Sequence, residues 1–133
     1  MRAALLDTRA GERVEIALET PPFNEPVLQA VGGNRVLVRD GEVVAEDQVR
    51  HPRTAAGFND REIILVTVDG RQPGWSVGMT MTELAHLMQR LGCTEAVNLD
   101  GGGSTTAWAQ QFILNRPSDG GERSIANALL VVR

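Results

Sequence analysis

The run Asn98-Leu99-Asp100-Gly101-Gly102-Gly103-Ser104-Thr105-Thr106 puts one carboxylate, three glycines and three hydroxyls directly after the apolar pair Ala96-Val97. A glycine gives up more backbone entropy on folding than any other residue, ~0.5–1 kcal/mol relative to alanine in regular structure, so three in succession need a reason. One reason is close approach: without side chains, the amides of Gly101, Gly102 and Gly103 can converge on an anion, and the Ser104, Thr105 and Thr106 hydroxyls add hydrogen bonds. The same composition also describes a tight, mobile turn, and the run by itself does not choose between the two. It is not a nucleotide P-loop, because no lysine follows the glycines. Nor is it a dinucleotide turn, which needs G-x-G-x-x-G opening a helix, whereas Ser-Thr-Thr-Ala-Trp favours a strand.

Other polar clusters could complete such a site: His51-Pro52-Arg53-Thr54, Asp69-Gly70-Arg71, and Asn115-Arg116-Pro117-Ser118-Asp119 leading to Glu122-Arg123. Each borders an apolar run. A guanidinium suits a phosphodiester because its planar fork pairs two phosphate oxygens and stays charged. Taken singly, each arginine and His51 reads more readily as a solvated surface group than as part of a site. Asp69 and Asp100 both follow apolar runs and precede glycine, so neighbouring strands would bring them to one cleft. Either could instead cap its own turn. Glu122 is a third acidic candidate. The oxygens of Asp69, Asp100, Asp119 and Asn98 would also suit calcium, although no EF-hand spacing occurs. One cysteine, Cys93, and two histidines, His51 and His86, make no zinc motif, and His86 is expected on a helix surface.

The elements that must hold these groups can be read from periodicity. Val14, Ile16 and Leu18 alternate as a strand before Pro21-Pro22. Val36-Leu37-Val38 and Glu42-Val43-Val44 flank Asp40-Gly41, a hairpin signal. Arg53 to Phe58 and Glu62 to Val68 flank Asn59-Asp60 as a second hairpin. Met81, Leu84, Ala85, Leu87, Met88 and Leu91 form one stripe at spacings of three and four, predicting a helix over about residues 81–91. Thr80 and Glu83 form its capping box and Gly92 its left-handed exit. Ala96 to Leu99 reads as a buried strand, followed by extended Ser104 to Ala109, Phe112 to Leu114 and a final strand from Ala128 to Val132. The predicted class is α+β: a largely antiparallel or mixed sheet packed with one main helix, in a single domain.

At 133 residues one domain with a real core is expected. With 13 Lys and Arg against 17 Asp and Glu the net charge is −4, which supplies no broad basic surface for nucleic acid. No apolar run is long enough for a membrane span, and Met1 to Leu6 is too short for a signal peptide. The lone Cys93 allows no internal disulfide.

Beyond these readings, Arg53-Thr54-Ala55-Ala56-Gly57, Val68-Asp69-Gly70-Arg71, Gly78-Met79-Thr80 with Glu83-Leu84-Ala85, Leu91-Gly92-Cys93, Asn98 to Thr106, Asn115, Pro117-Ser118-Asp119, Glu122-Arg123 and Asn127 to Leu130 resemble, in order, the phosphodiester glycosidase family. Gly32-Gly33, Leu37-Val38 and Gly41 extend the resemblance over about residues 27–132. It implies a hydrolase that removes a sugar from a phosphodiester. The conserved cleft would map onto Arg53, Thr54, Asp69, Arg71, Asn98, Asp100, Gly101, Gly102, Ser104, Thr105, Arg123 and Asn127, and an extracytoplasmic or envelope setting with roles in exopolysaccharide metabolism is favoured. The family's N-terminal motif region is not seen here, so half of the cleft wall is expected to lie outside this chain.

The expected chemistry is cleavage of a glycosidic C–O bond with a phosphate monoester leaving. That group, with a second pKa near ~6, departs as a stable anion and needs little proton donation. The amides of Gly101 to Gly103 and the arginines would hold it. Asp100 or Asp69 would act as nucleophile or base at an oxocarbenium-like carbon, with Glu122 a weaker choice. No resident cofactor is predicted, calcium aside. Two alternatives stay open: a module that binds phosphorylated or acidic glycans without cutting them, and a structural envelope domain whose free sheet edges favour a homodimer.

Overall fold

A computed structural model describes residues 9–13 and 30–131. The expected strand at Val14 to Leu18 lies outside them. The chain divides into two units, Met1–Ala30 and Val31–Arg133. In the first, the described residues form a turn in which Glu12 N–H donates to Arg9 O at 3.1 Å and the Arg9 amide donates to the Glu12 carboxylate. All the elements named below belong to the second.

That unit carries strands β1 (Arg35–Arg39), β2 (Glu42–Val43), β3 (Arg53–Phe58), β4 (Ile63–Val68) and β5 (Glu95–Asn98), with one α-helix, α1 (Met81–Arg90), and a hairpin of β6 (Trp108–Ala109) with β7 (Phe112–Ile113). The five larger strands form one sheet in the order β2-β1-β5-β3-β4, antiparallel throughout. The α+β expectation holds. Asp40 and Gly41 turn the first hairpin with φ of 51° and 78°, the left-handed pair that a two-residue connection needs. Asn59 turns the second: its side-chain oxygen accepts from the amides of Arg61 and Glu62.

The helix begins where Thr80 and Glu83 exchange hydrogen bonds: Thr80 Oγ1 accepts from Glu83 N–H at 3.1 Å and the Glu83 carboxylate accepts from Thr80 N–H at 3.0 Å. Gly92, with φ of 90°, takes the chain out. Met81, Leu84, Ala85 and Met88 are buried against β1, β2 and β5, together with Leu37, Val38, Ala55, Cys93 and Ala96. Fully burying a side chain of the size of Leu84 or Met88 contributes about 1.5–3 kcal/mol each. Leu91 departs from the expected stripe: as the C-cap residue it is 44% exposed, because the helical spacing ends before it. Leu37 and Val38 are both buried although adjacent, and the β1–β5 register shifts between Val36 and Val38, where a bulge lets consecutive residues face inward. The opposite face of the sheet, with Phe58, Ile63 and Leu65, is exposed.

Two expectations change. Gly102–Ser104 is a turn of 3-10 helix, so extended chain begins only after it. Ala128 to Val131 is neither strand nor buried, with Leu130 75% and Val131 86% exposed. An apolar, β-prone run becomes a strand only beside a ladder partner, and none is paired with it among the described residues.

The antiparallel register decides where the chemistry lies. Arg35 and Ala55 both pair with Asn98, and Arg53 pairs with Val68. The start of β1, the start of β3, the end of β4 and the end of β5 therefore share one end of the sheet. Asn34, Pro52, Asp69 and the segment after Asn98 all leave from there.

Candidate active site

At that end is a cavity of about 320 Å³ lined by Asn34, His51, Pro52, Arg53, Arg71, Asn98, Asp100, Gly101, Gly102, Gly103, Ser104 and Arg123. Two arginines widely separated in sequence, Arg71 and Arg123, thus share this cavity with the glycine run.

Each of the three glycines makes room for a different neighbour. A Cβ on Gly101 would stand 2.7 Å from Pro52 O, the carbonyl that accepts the Gly102 amide at 3.0 Å. A Cβ on Gly102 would stand 3.0–3.3 Å from the Arg71 guanidinium, so the cation lies flat on that bare Cα, and its φ of 62° is one that only glycine adopts without strain. A Cβ on Gly103 would stand 2.0 Å from the Asp119 carboxylate, which in turn pairs with Arg123 at 3.6 Å. The glycines are therefore spacers for a carbonyl, a cation and a carboxylate. The expected three-amide cradle is not formed: Gly101 N–H donates to its neighbour Asp100 Oδ1 at 2.8 Å and Gly102 N–H to Pro52 O. The Gly103 amide donates to no acceptor among the described residues. The turn of 3-10 helix is closed instead by the Ser104 and Thr105 amides on the Gly101 and Gly102 carbonyls, while Asp100 and Pro52 take the first two glycine amides, which composition could not foretell.

Arg71 itself sits at φ 58° and reaches His51 Nδ1 at 3.2 Å. Because a guanidinium only donates, this contact takes Nδ1 as acceptor and places the ring proton on Nε2. His51, read from the sequence more readily as a surface group, is therefore a member of the site.

Arg53 borders the cavity but points its charge elsewhere. Alternation along β3 puts Arg53, Ala55 and Gly57 on the helix-covered face. There its guanidinium is buried, donating to Met79 O at 2.9 Å, Val49 O at 2.7 Å and Asp47 Oδ2 at 3.1 Å. Hydrogen bonds from the Val49 amide and then from Arg53 hold the Asp47 carboxyl below its ordinary range against the opposing effect of burial. The Arg53 guanidinium is thus committed to the protein.

Asp69 is likewise engaged. Its Oδ2 accepts from Trp75 Nε1 at 2.9 Å, and its Oδ1 accepts from Asn115 Nδ2 at 3.0 Å and Arg116 N–H at 2.9 Å. Burial pushes the carboxyl up, but the bonds from Trp75, Asn115 and Arg116 outweigh it and hold it below the usual carboxylate value. It is not among the cavity-lining residues. Two of its donors, Asn115 and Arg116, tie the loop after β4 to the segment after β7, and Asn115 extends that tie by donating to Thr105 O and accepting from Ala107 N–H. Asp100 differs: it is exposed, lines the cavity and accepts only from the next amide.

Of the remaining candidates, Asn98 is 1% exposed, donates to Asn34 Oδ1 at 2.8 Å and to Leu99 O, and leaves its own Oδ1 buried with no partner among the described residues. Thr54 and Thr105 bond to each other at 3.3 Å outside the cavity lining. Glu122 and Asn127 are exposed and also outside it. Among the described residues no group of three or more His, Cys, Asp or Glu side chains is placed to hold a metal ion, and the oxygens of Asp69 proposed for calcium are already bonded. Asn34 lines the wall without any sequence signal marking it, since its role comes from strand ends meeting.

With this geometry in hand, the relatives can be compared. The phosphodiester glycosidase family model matches residues 2–132, and the chain belongs to that family. The match begins well before residue 27, where the quoted motifs start. A prophage-derived uncharacterized protein of Bacillus subtilis is 38% identical over 88 residues, covering 65% of this chain and 14% of the relative. Among solved structures, a Burkholderia pseudomallei protein predicted to be exported is 50% identical over 56% of this chain and 14% of its own, with a TM-score of 0.53. The catalytic domain of zebrafish N-acetylglucosamine-1-phosphodiester alpha-N-acetylglucosaminidase is 28% identical over 66% of this chain and 34% of its own, with a TM-score of 0.59. The chain therefore spans between 14% and 34% of the length of these relatives. No helix among the described residues is long and apolar enough to cross a membrane.

Proposed function

We propose that this chain contributes the reacting cavity of a hydrolase that cleaves the bond between an anomeric carbon and the phosphate of a sugar phosphodiester. One observation carries the reading: Asp100, with a carboxylate little used by the protein, shares a cavity with Arg71 flat on Gly102 and with Arg123. The two guanidinium groups bind the phosphate oxygens and stabilise the charge that grows as the C–O bond breaks. The electron pair of that bond leaves with the phosphate monoester, which needs little protonation. Water supplies the new oxygen at the carbon. Asp100 either deprotonates that water or first attacks the carbon itself, and the anomeric configuration of the released sugar tells which. Asp69, in this reading, positions Arg71 by fixing the loop. The family match supports the reaction class, and the exported relative supports an extracytoplasmic setting.

A rival reading, a module that binds phosphorylated glycans without cutting them, has one observation in its favour: among the described residues Asp100 is the single carboxylate lining the cavity. Turnover separates the two. The purified chain should release sugar from a sugar-phosphate-sugar diester or an aryl phosphodiester glycoside. Asp100→Asn should lower the rate by about 10²–10⁴-fold with little change in affinity. Binding without any release sinks the hydrolase reading, and a fully active Asp100→Asn removes Asp100 from the chemistry.

A further inference from the structure

Trp75 is 63% exposed, yet its position is fixed from three sides. Its indole N–H is satisfied by Asp69 Oδ2 at 2.9 Å, and Asp69 is itself held by Asn115 and by the Arg116 amide. The Arg116 guanidinium lies 5.7 Å from the ring centroid, covering one face. The backbone that carries it is closed by Gln72 N–H to Ser76 O and Ser76 N–H to Gln72 O, both 2.9 Å, and Gln72 Nε2 reaches Arg116 O at 2.8 Å. Trp108 makes the contrast: it is 62% exposed and its indole N–H has no such partner among the described residues. Large aromatic surface is normally buried or left loose, and an indole that is both pinned and open is preorganised for a ligand that needs a flat apolar wall.

We infer that Trp75 is a stacking platform for a pyranose ring. The C–H face of a pyranose is the apolar side of an otherwise polar ligand, and it lies against an indole without demanding a hydrogen bond from it. Which ring it takes follows from position, and this step rests on the hydrolase reading above. The sugar under attack occupies the cavity with Asp100, and Trp75 is not part of that lining. Trp75 follows Arg71 by four residues, within a chain reach of about 14 Å. The ring it takes is therefore the one across the phosphate, the acceptor sugar that remains on the phosphate monoester product. The loop then reads both parts of the acceptor: Arg71 its phosphate, Trp75 its ring.

Two measurements test this on the whole chain. In the first, methyl pyranosides are titrated against protein labelled at the indole nitrogens. The Trp75 resonance should shift saturably while that of Trp108 stays still, and Trp75→Ala should abolish saturable binding while Trp108→Ala retains it. In the second, Trp75→Ala should lower kcat/KM about tenfold more on a sugar-phosphate-sugar diester than on the matching sugar-phosphate-methyl diester, because loosening Asp69 and Arg71 affects both substrates alike while loss of the ring affects only the first. An unresponsive Trp75 indole, or equal losses on both diesters, overturns the platform. If the wild-type chain turns over neither diester, the hydrolase reading falls, and the indole titration decides the platform alone.

Discussion

The helix-covered face of the sheet and the cavity at its end are built from the same strands but stabilised by different means. On the helix side, Leu84, Met88, Leu37 and Ala55 exclude water, and the buried cation Arg53 is surrounded by two carbonyls and Asp47. At the cavity, Arg71 rests on a bare Cα and touches His51, and among the described residues its guanidinium makes no other hydrogen bond. The difference teaches that an arginine's role follows from which side of the strand end it leaves. A guanidinium whose donors are satisfied by the protein stabilises the fold, and one left short of acceptors is available to a ligand.

The widest separation should come from treating the two arginines alike. Arg53→Met is expected to lower unfolding free energy by ~3 kcal/mol, read from urea midpoints, because Asp47 and two carbonyls lose their donor. Arg71→Met should leave that midpoint in place and lower kcat/KM about 100-fold, the equivalent of ~1.5–3 kcal/mol of charge-assisted hydrogen bonding. Exchanged outcomes would break the comparison.

Gly101→Ala, smaller in effect, sharpens it. The added Cβ would meet the Pro52 backbone carbonyl at 2.7 Å, and backbone cannot swing aside, so a stability loss of about 1–3 kcal/mol is expected in thermal unfolding. A neutral Gly101→Ala would mean that this wall is soft. On the helix side, Thr80→Ala removes the oxygen that accepts the Glu83 amide and should cost about 1 kcal/mol with activity unchanged.

The smallest effect concerns pH. Asp69 has a lower pKa folded than its ordinary value of 3.8, so the folded state holds that proton less tightly than the unfolded chain. Its contribution is complete above the ordinary value and fades as pH falls through the lower folded value. Asp69→Asn should therefore flatten the loss of stability below about pH 4, measured by unfolding at a series of acid pH values. A slope identical to wild type would show that the Trp75, Asn115 and Arg116 bonds do not favour the ionised form.

Some of this was plain from local signals. Asp40-Gly41 requires two left-handed residues and has them; Thr80 and Glu83 satisfy each other's amides within one helical turn. The sheet and the helix follow from such short-range rules. Of the site, Asp100, Arg71, Arg123 and the three glycines were legible because their residue types suit anion chemistry, and the cavity unites them. Alternation along β3 was available to show that Arg53 shares a face with Ala55, although its partners Asp47, Val49 and Met79 carried no such mark. His51 looked equally like any surface histidine, and Asn34 had no signal at all. The apolar run from Ala128 to Val131 misled because strand propensity is necessary for a ladder but does not provide its partner.

The sequence by itself determined the element types, the family motifs and the group of residues able to bind an anion, since each depends on neighbours a few positions away. The antiparallel register alone decided that Asn34, Pro52, Arg71 and Asp100 meet at one sheet end. It also decided that Asp69 spends its oxygens on Trp75, Asn115 and Arg116. The physical reason is that hydrogen-bonding capacity is local to a residue, whereas the partner that uses it is chosen by how distant strands align.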